Sequence, residues 1–361
     1  MTLNASGKIS LAGTTVGQSI QVELGGTGTT RISLNDNNVR TLAGVPSGRI
    51  VMPTNFYGKS SRVSLSFTFS ASTADATLNV TSISGYIAGF SDITVTVNSG
   101  VYLYATSTGS PGLALSGGTT GDTITLVNNG FIMGQGGTGG GGPSSSLPPT
   151  VGGPALSLGF NTTINNTNAA AYIGGGGGGG GGVHGGVNGY GGGGGAGGGD
   201  GGDSGPVPGG TGGGIGTSGA NGFAEQAPNF RYGGGGGGRI FPSTTIAGPG
   251  TSTFAQARPG FGGSGGGSGG ARINNLGAPA TGGSGGGPAT VGGNGTAGLG
   301  SSNAVATGGG GGWGAAGGNS QTFAPSLVNQ TGAAGGKAVN LNTYSVTWVS
   351  GDTARVYGAV S

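Results

Sequence analysis

Residues 174–182 read GGGGGGGGG, and after VHGGVNGY the chain returns to GGGGGAGGGDGG at 191–202. What such a run can be decides the fold. Gly loses more backbone freedom on ordering than any other residue, so a run this pure orders only where packing offsets that loss. Collagen demands Gly at every third place with abundant Pro, and these runs are unphased. A flexible linker is the plain alternative for Gly-rich sequence. A linker has no use, however, for the rings of Tyr172, Tyr190, Phe223, Phe230, Tyr232, Phe241, Phe254, Phe261 and Trp313, which punctuate residues 134–320. The third reading is a bundle of polyglycine helices in the extended, threefold (polyglycine-II) conformation. Such a helix makes no internal hydrogen bonds, and buried backbone groups must be paired. Pairing therefore runs sideways between neighbouring runs, with Cα–H···O contacts as weak support.

Nine runs supply the neighbours: 134–142, 174–182, 191–202, 209–214, 233–238, 262–270, 282–287, 292–300 and 308–318. A nine-residue run spans about 28 Å at ~3.1 Å per residue. The uninterrupted runs 174–182 and 233–238 suit the centre of the bundle. Runs broken by Ala196, Ser264, Ser268 or Ala315 suit its outside, where a Cβ can point outward.

The rest of the chain divides by composition. Of 361 residues 99 are Gly, and 76 of these fall in 134–320 with only seven charged side chains. Charged residues make up 6% of the chain, against about 25% in an ordinary protein, which excludes a highly charged disordered tail. With no Cys and one His, disulfide frameworks, thiolate zinc sites and chemistry needing two imidazoles have no material. Residues 1–62 hold six basic and two acidic residues, while the remainder holds six and seven. No basic stripe of a nucleic-acid binder is present, no apolar run approaches a membrane span, and the start MTLNASGKIS lacks a signal-peptide shape. The chain is expected to be made in a cytoplasm, which leaves it free to work outside a cell after lysis.

Residues 1–62 read as a small α+β module. Lys8–Leu11, Ser19–Leu24 and Arg49–Met52 are expected as strands, and a helical turn follows Ser33 and stops at Gly44. Residues 63–133 are a β-rich stalk or sandwich: Leu65, Phe67 and Phe69 alternate with polar residues, as do Ile93, Val95 and Val97 before the Asn98-Ser99-Gly100 turn. A weak repeat then appears. Thr123–Val127, Asn128-Asn129 and Phe131-Ile132 lead into one Gly run, and Thr162–Ile164, Asn165-Asn166 and Tyr172-Ile173 lead into another, as stacked building blocks would. Residues 321–361 return to a β-rich composition and are expected to close the Gly-rich domain. The fold class is thus mainly β, with a Gly-rich sandwich of stacked threefold helices over 134–320.

Long Gly runs alternating with variable loops resemble the distal receptor-binding adhesins of tailed bacteriophages, whose glycine-rich motifs stack as polyglycine-II helices and whose loops form the tip that touches the host. The stretches SGKISLAGTTVGQSIQVELG and SLNDNNVRTLAGVPSGRIVMPTNFYGKS look like an opening module shared by short phage tail proteins, including cyanophage and marine phage ones. The ending, Tyr344-Ser345-Val346-Thr347-Trp348-Val349 with Arg355 and Ala359-Val360-Ser361, resembles C-termini of glycine-rich tail fibres. The resemblance implies a virion tail protein that joins the tail or baseplate through 1–62, is assembled in the host cytoplasm and acts outside it. Its implied partners are other tail or baseplate proteins and a bacterial surface glycan or outer-membrane protein. Carrying its own attachment module departs from the adhesin pattern. A homotrimer and a monomer both fit, and a purely structural tail or baseplate protein is the alternative function.

Motif matches add little. G-x-G-x-x-G recurs by composition alone, without a strand-to-helix junction and downstream acid. Gly58-Lys59-Ser60 lacks a phosphate loop, because Pro53 stands where its first Gly belongs. Gly198-Gly199-Asp200-Gly201-Gly202-Asp203 fits one copy of a calcium repeat, but its next apolar place is Gly205. No metal, cofactor or catalytic residue is assigned, and the protein is not read as an enzyme. The receptor-contact candidates are the loop residues Tyr172, His184, Tyr190, Phe223, Phe230, Arg231, Tyr232, Arg239, Phe241, Phe254, Arg258 and Trp313. Aromatic faces beside Arg forks, with Arg272 a further cation next to a run, suit sugar rings and their phosphate or carboxylate groups. The competing role for the same residues is capping: Arg on free backbone carbonyls, and aromatics sealing the bundle ends.

Overall fold

A computed structural model describes residues 2–141, 147–185, 189–226, 230–241, 247–252, 256–273, 279–287, 289–297, 304–351 and 353–361. They form two compact units: 1–67 with 79–95 and 117–126, and 68–78 with 96–116 and 127–361.

The first unit packs Leu3, Ile9, Ile20, Val39, Leu42, Ala43 and Phe56 into a small core. A helix spans Asn37–Ala43 and stops at Gly44, whose φ of 69° lets its N–H turn back to the Thr41 carbonyl at 3.0 Å as helix C-caps do. Ser19–Leu24 is not a strand. Ser19 Oγ accepts from the Val22 N–H at 3.2 Å and starts a one-turn helix, Ile20–Glu23. The alternation misled because Ile20 and Leu24, four apart, also share a helix face. Lys8–Leu11 makes only the single bridge Ser10↔Ser19. Arg49–Met52 forms no strand, since Pro53 has no N–H to donate and the Val51 N–H goes to Asn55 Oδ1 at 2.6 Å. Arg62 and Asp92 form an ion pair at 2.7 Å, whose hydrogen bond holds the Asp92 carboxyl below its usual range.

In the second unit the strands stack in parallel columns. One column runs Thr73–Ala74, Tyr102–Tyr104, Phe131–Met133, Tyr172–Gly174 and Val356–Tyr357, parallel throughout. A second runs Ala76–Asn79, Leu113–Ser116, Leu156–Leu158 and Val339–Asn340. A third takes Val63–Phe69, Ser91–Val97, Thr123–Asn128, Thr162–Asn165 and Val346–Trp348, and the chain passes between the two units inside its first three strands. The chain visits the columns in turn, one strand of each per coil. The repeat seen in the sequence is two successive coils. Phe131 pairs with Tyr172 and Ile132 with Ile173, the Phe131 ring stacks on Tyr102 at 4.5 Å and on Tyr172 at 6.0 Å, and Asn128 Nδ2 donates to Asn166 Oδ1 at 2.9 Å. After Gly174 the chain leaves this coil and comes back to it only at Val339, which pairs with Leu156. The Gly-rich region is therefore inserted into two successive turns of a parallel β coil, a short excursion between Met133 and Leu156 and a long one between Gly174 and Val339.

Within the insertion, hydrogen-bond partners change with a period of three. Gly134, Gly137 and Gly140 donate to the carbonyls of Gly174, Gly177 and Gly180. Gly314, Gly311 and Gly308 donate to Gly175, Gly178 and Gly181, and Gly336, Ala333 and Gln330 to Gly176, Gly179 and Gly182. The N–H groups of 174–182 point to three further segments: Gly176 and Gly179 to Gly153 and Thr150, Gly177 and Gly180 to Ala196 and Gly193, Gly178 and Gly181 to Ala315 and Gly318. This run thus sits among six neighbours, and 233–238 does the same among 194–197, 199–202, 210–213, 220–223, 260–263 and 265–268. The interrupted runs do not lie outside. Ala196, Ser264, Ser268 and Ala315 are all buried. The Ala196 methyl joins Met133, Phe241 and Trp313, and Ser268 Oγ accepts from the Phe261 N–H at 2.7 Å. A small side chain is kept inside where it meets an aromatic cluster or a backbone donor.

A Cβ built on Gly178 would stand 2.0 Å from the Ala333 carbonyl oxygen, whereas one on Gly248 meets nothing within 4 Å. Gly178→Ala is expected to destabilise by about 3 kcal/mol or more, as forced overpacking does, while Gly248→Ala leaves the thermal unfolding midpoint unchanged or slightly raised.

Candidate functional site

Because the chain reverses direction from one segment to the next, as between 174–182 and 191–196, its connections gather at two ends of the bundle. At the inner end, where the runs leave the coil, Gly134 bonds Gly174, Gly314 bonds Gly175 and Gly197 bonds Gly238. At the outer end Gln330 bonds Gly182, Gly202 bonds Gly192, Gly260 bonds Gly233, and Thr307 Oγ1 bonds Gly191 at 2.8 Å. Short antiparallel ladders lie at this outer end: Val183–His184 with Val328–Asn329, Ala224–Glu225 with Arg231–Tyr232, Thr251–Ser252 with Ala280–Thr281, and Gln256–Arg258 with Ala271–Ile273. Ala224–Glu225 and Arg231–Tyr232 belong to one loop, whereas the other three ladders tie different loops to one another.

The twelve sequence candidates separate by end and by burial. At the inner end, Tyr172 is half-buried, while Phe241, Trp313 and Arg239 are buried. Tyr172 and Phe241 approach to 4.9 Å, and Phe241 and Trp313 to 4.5 Å. Trp313 Nε1 donates to the Ile240 carbonyl at 3.0 Å. Arg239 donates from Nε to the Gly197 carbonyl at 2.8 Å, from Nη2 to the Ala105 carbonyl at 3.0 Å, and to Gln135 Oε1. Its guanidinium lies 5.1 Å from the Tyr104 ring centre, and burial lowers its pKa. At the outer end Tyr190 and Tyr232 are buried with ring centres 5.1 Å apart. Arg239, Phe241, Trp313, Tyr190 and Tyr232 are therefore withdrawn as receptor contacts. Gly runs have no side chains with which to seal their own ends, so loop aromatics cover them and Arg239 takes carbonyls left at a run terminus.

The other candidates face outward or partly so. Phe223 is 62% exposed. Arg258 is exposed, and His184, Phe230 and Arg231 are half-buried. Arg231 lies 3.8 Å from Glu225 across its ladder, and His184 pairs with Val328. Phe254 falls outside the described residues. The outer end also exposes Phe323 and Val328. Neither carries a sequence signal, because both stand beside no long Gly run and their place follows only from the direction of the strands around them. Asp200 and Asp203 accept the N–H groups of Gly212 at 2.7 Å and Gly209 at 2.8 Å, which gives the calcium-like stretch a turn-closing role. Among the described residues no three His, Cys, Asp or Glu side chains are grouped to hold a metal.

A hydrogen-bonded backbone bundle that gathers side-chain-bearing loops at one end has the architecture of a display scaffold. Comparison with known proteins narrows the class: residues 64–240 match the family Phage tail fibre adhesin Gp38. The matched residues, just under half of the chain, are thus similar to a family of bacteriophage tail fibre adhesins, components of the virion tail. A solved structure, the gp37–gp38 adhesin tip complex of the bacteriophage S16 long tail fibre, aligns with a TM-score of 0.39 at 19% identity, over 98% of this chain and 100% of that one. No curated protein matches the chain.

Sealing and recognition are separable by mutation. Arg239→Met strips bonds from the carbonyls of Gly197 and Ala105 and is expected to cost about 3 kcal/mol of stability. Host binding per folded molecule should be unchanged, as measured by thermal unfolding and by cell-binding isotherms below the new midpoint.

Proposed function

We propose that the outer loop end of the bundle is the face that meets the receptor, a bacterial surface glycan or outer-membrane protein. Residues 1–62 join the adhesin to other tail or baseplate proteins, and 63–133 serve as the stalk between attachment and recognition. The Gly runs are polyglycine-II helices that act as scaffold. The protein binds without cofactor and without chemical change to its receptor, after assembly in the host cytoplasm.

The observation that carries this reading is the exposure of large side chains on the outer loops. Phe223, Arg258, Phe323 and Val328 are exposed there, while the aromatics of the inner end pack against one another. An aromatic face beside a cation suits sugar rings and aromatic or acidic protein surfaces. Several shallow contacts of this kind give strong attachment once many copies act together on one virion.

Replacing Phe223 and Arg258 together by Ser tests the assignment. The variant is expected to unfold at the wild-type temperature and to bind host cells at least ~10-fold more weakly, the loss of about 1.4 kcal/mol. Binding equal to wild type would remove the outer loops from recognition.

A further inference from the structure

The first unit carries positive charge that its own carboxylates do not neutralise. Residues 1–62 hold six basic and two acidic residues, whereas the rest of the chain holds six and seven. Every carboxylate of this unit is engaged inside it. Glu23, buried, accepts from the Ser61 N–H at 2.9 Å, and Asp36, half-buried, from the Ser33 N–H at 2.7 Å. Asp92 pairs with Arg62. Asp122, also buried, accepts from the Tyr86 hydroxyl at 2.7 Å and from the N–H groups of Ser91 and Thr119. Lys8, Arg31, Arg49 and Lys59 are exposed, and among the described residues none of them pairs with a carboxylate.

Local contacts gather most of these cations. Arg40 turns its guanidinium onto the chain that follows the helix Asn37–Ala43, donating to the carbonyls of Val45 at 3.1 Å and Gly48 at 3.2 Å. Its charge therefore sits next to Arg49. Gly44 closes the same helix, and a Cβ built on it would stand 3.7 Å from Lys59 Nζ. Residues 3–8 run beside 57–59. The Leu3 N–H donates to the Lys59 carbonyl at 2.8 Å, and the Tyr57 hydroxyl to the Gly7 carbonyl at 2.9 Å, which sets Lys8 on the segment adjoining Lys59. Ile50 packs against the core, while its neighbours Arg49 and Val51 are exposed, so an apolar side chain lies beside the cations. The carbonyls at the helix C-terminus attract Lys59, but that role does not extend to Lys8 or Arg49.

We propose that Arg49, Lys59 and Lys8, backed by Arg40, form a cationic docking face for an acidic protein surface on the tail. The inference rests on the reading that residues 1–62 join the protein to the tail, and it names the chemistry of the partner. Unpaired surface charges act over about 8–10 Å in physiological salt, and they speed and orient docking more than they tighten it. Cations beside an exposed apolar side chain have the make-up of a protein interface, an apolar centre within a polar rim. A nucleic acid calls instead for the dense basic stripe that this chain lacks.

Full-length wild type is compared with a variant carrying Lys8→Glu, Arg49→Glu and Lys59→Glu, and with one carrying Lys8→Gln, Arg49→Gln and Lys59→Gln. The probe is a purified phage particle assembled without this protein. Association rate at low and high salt, thermal unfolding and host-cell binding are measured for each. Wild type is expected to dock on the particle about tenfold faster at low salt than at high salt. The Glu variant should dock at least ~10-fold more slowly than wild type at low salt, with the Gln variant between them. Both variants should melt and bind host cells as wild type does. Equal rates for the three proteins, or a wild-type rate indifferent to salt, overturn the proposal. Normal docking with host binding lost by the Glu variant gives the cations to an anionic host-surface polymer and overturns it too. If the Glu variant fails to fold, the Gln variant decides. A wild type that docks regardless of charge leaves the attachment reading standing, whereas one that does not dock at all removes that reading and the inference with it.

Discussion

Every structural feature of the insertion follows from one requirement: the N–H and C=O groups of an extended Gly run cannot pair within the run. Each must find a partner in a neighbouring run, and with three residues per turn those partners lie on every side. Residues 174–182 meet the requirement with six segments around them. The backbones lie so close that an added Cβ would fall about 2 Å from a neighbouring carbonyl at most positions, as at Gly177, Gly178 and Gly179. Purity of sequence is therefore a packing constraint, stricter here than in most hydrophobic cores, which tolerate exchange of similar side chains.

That constraint also explains where the side chains are. A bundle without side chains has no apolar cover at its ends, so rings supplied by loops and by the β coil close it: Phe241, Trp313 and Tyr172 at one end, Tyr190 and Tyr232 at the other. What remains exposed on the outer loops is free to vary without touching the scaffold. The β coil sets where the bundle begins. Its columns carry Met133 straight into the run at 134 and Ile173 into the run at 174, in register, so the first two runs start side by side before any loop is formed.

Much of this was legible in the sequence. The Gly runs, their sideways pairing and the repeat at 123–133 and 162–173 follow from composition and spacing, because a homogeneous run admits few conformations and stacked aromatic-Ile pairs announce a register. The order of the runs was not legible. Nine runs of one residue type carry nothing that tells one neighbour from another, so the placing of Ala196 and Ser268 inside, and of Val339 back on Leu156, waits on the three-dimensional path. The same gap blurred the recognition site. Ring and cation types single out the loops, yet whether a given ring is buried or exposed depends on the path of the chain around it. Phe223 and Tyr232 flank one loop before the run at 233, yet Phe223 is exposed and Tyr232 buried. At Ser19 the ambiguity was local, since four-residue spacing of Ile20 and Leu24 serves a helical turn as well as a strand.

The central claim is that the Gly runs are ordered by hydrogen bonds made to one another. Amide hydrogen exchange, resolved to peptides covering 174–182, 191–196 and 233–238, tests it most directly. Protection as strong as that of the β-coil strands Thr123–Asn128 and Leu156–Leu158 is the predicted result. Exchange of the Gly-run amides at the rate of an unstructured chain, beside protected coil strands, would contradict the account.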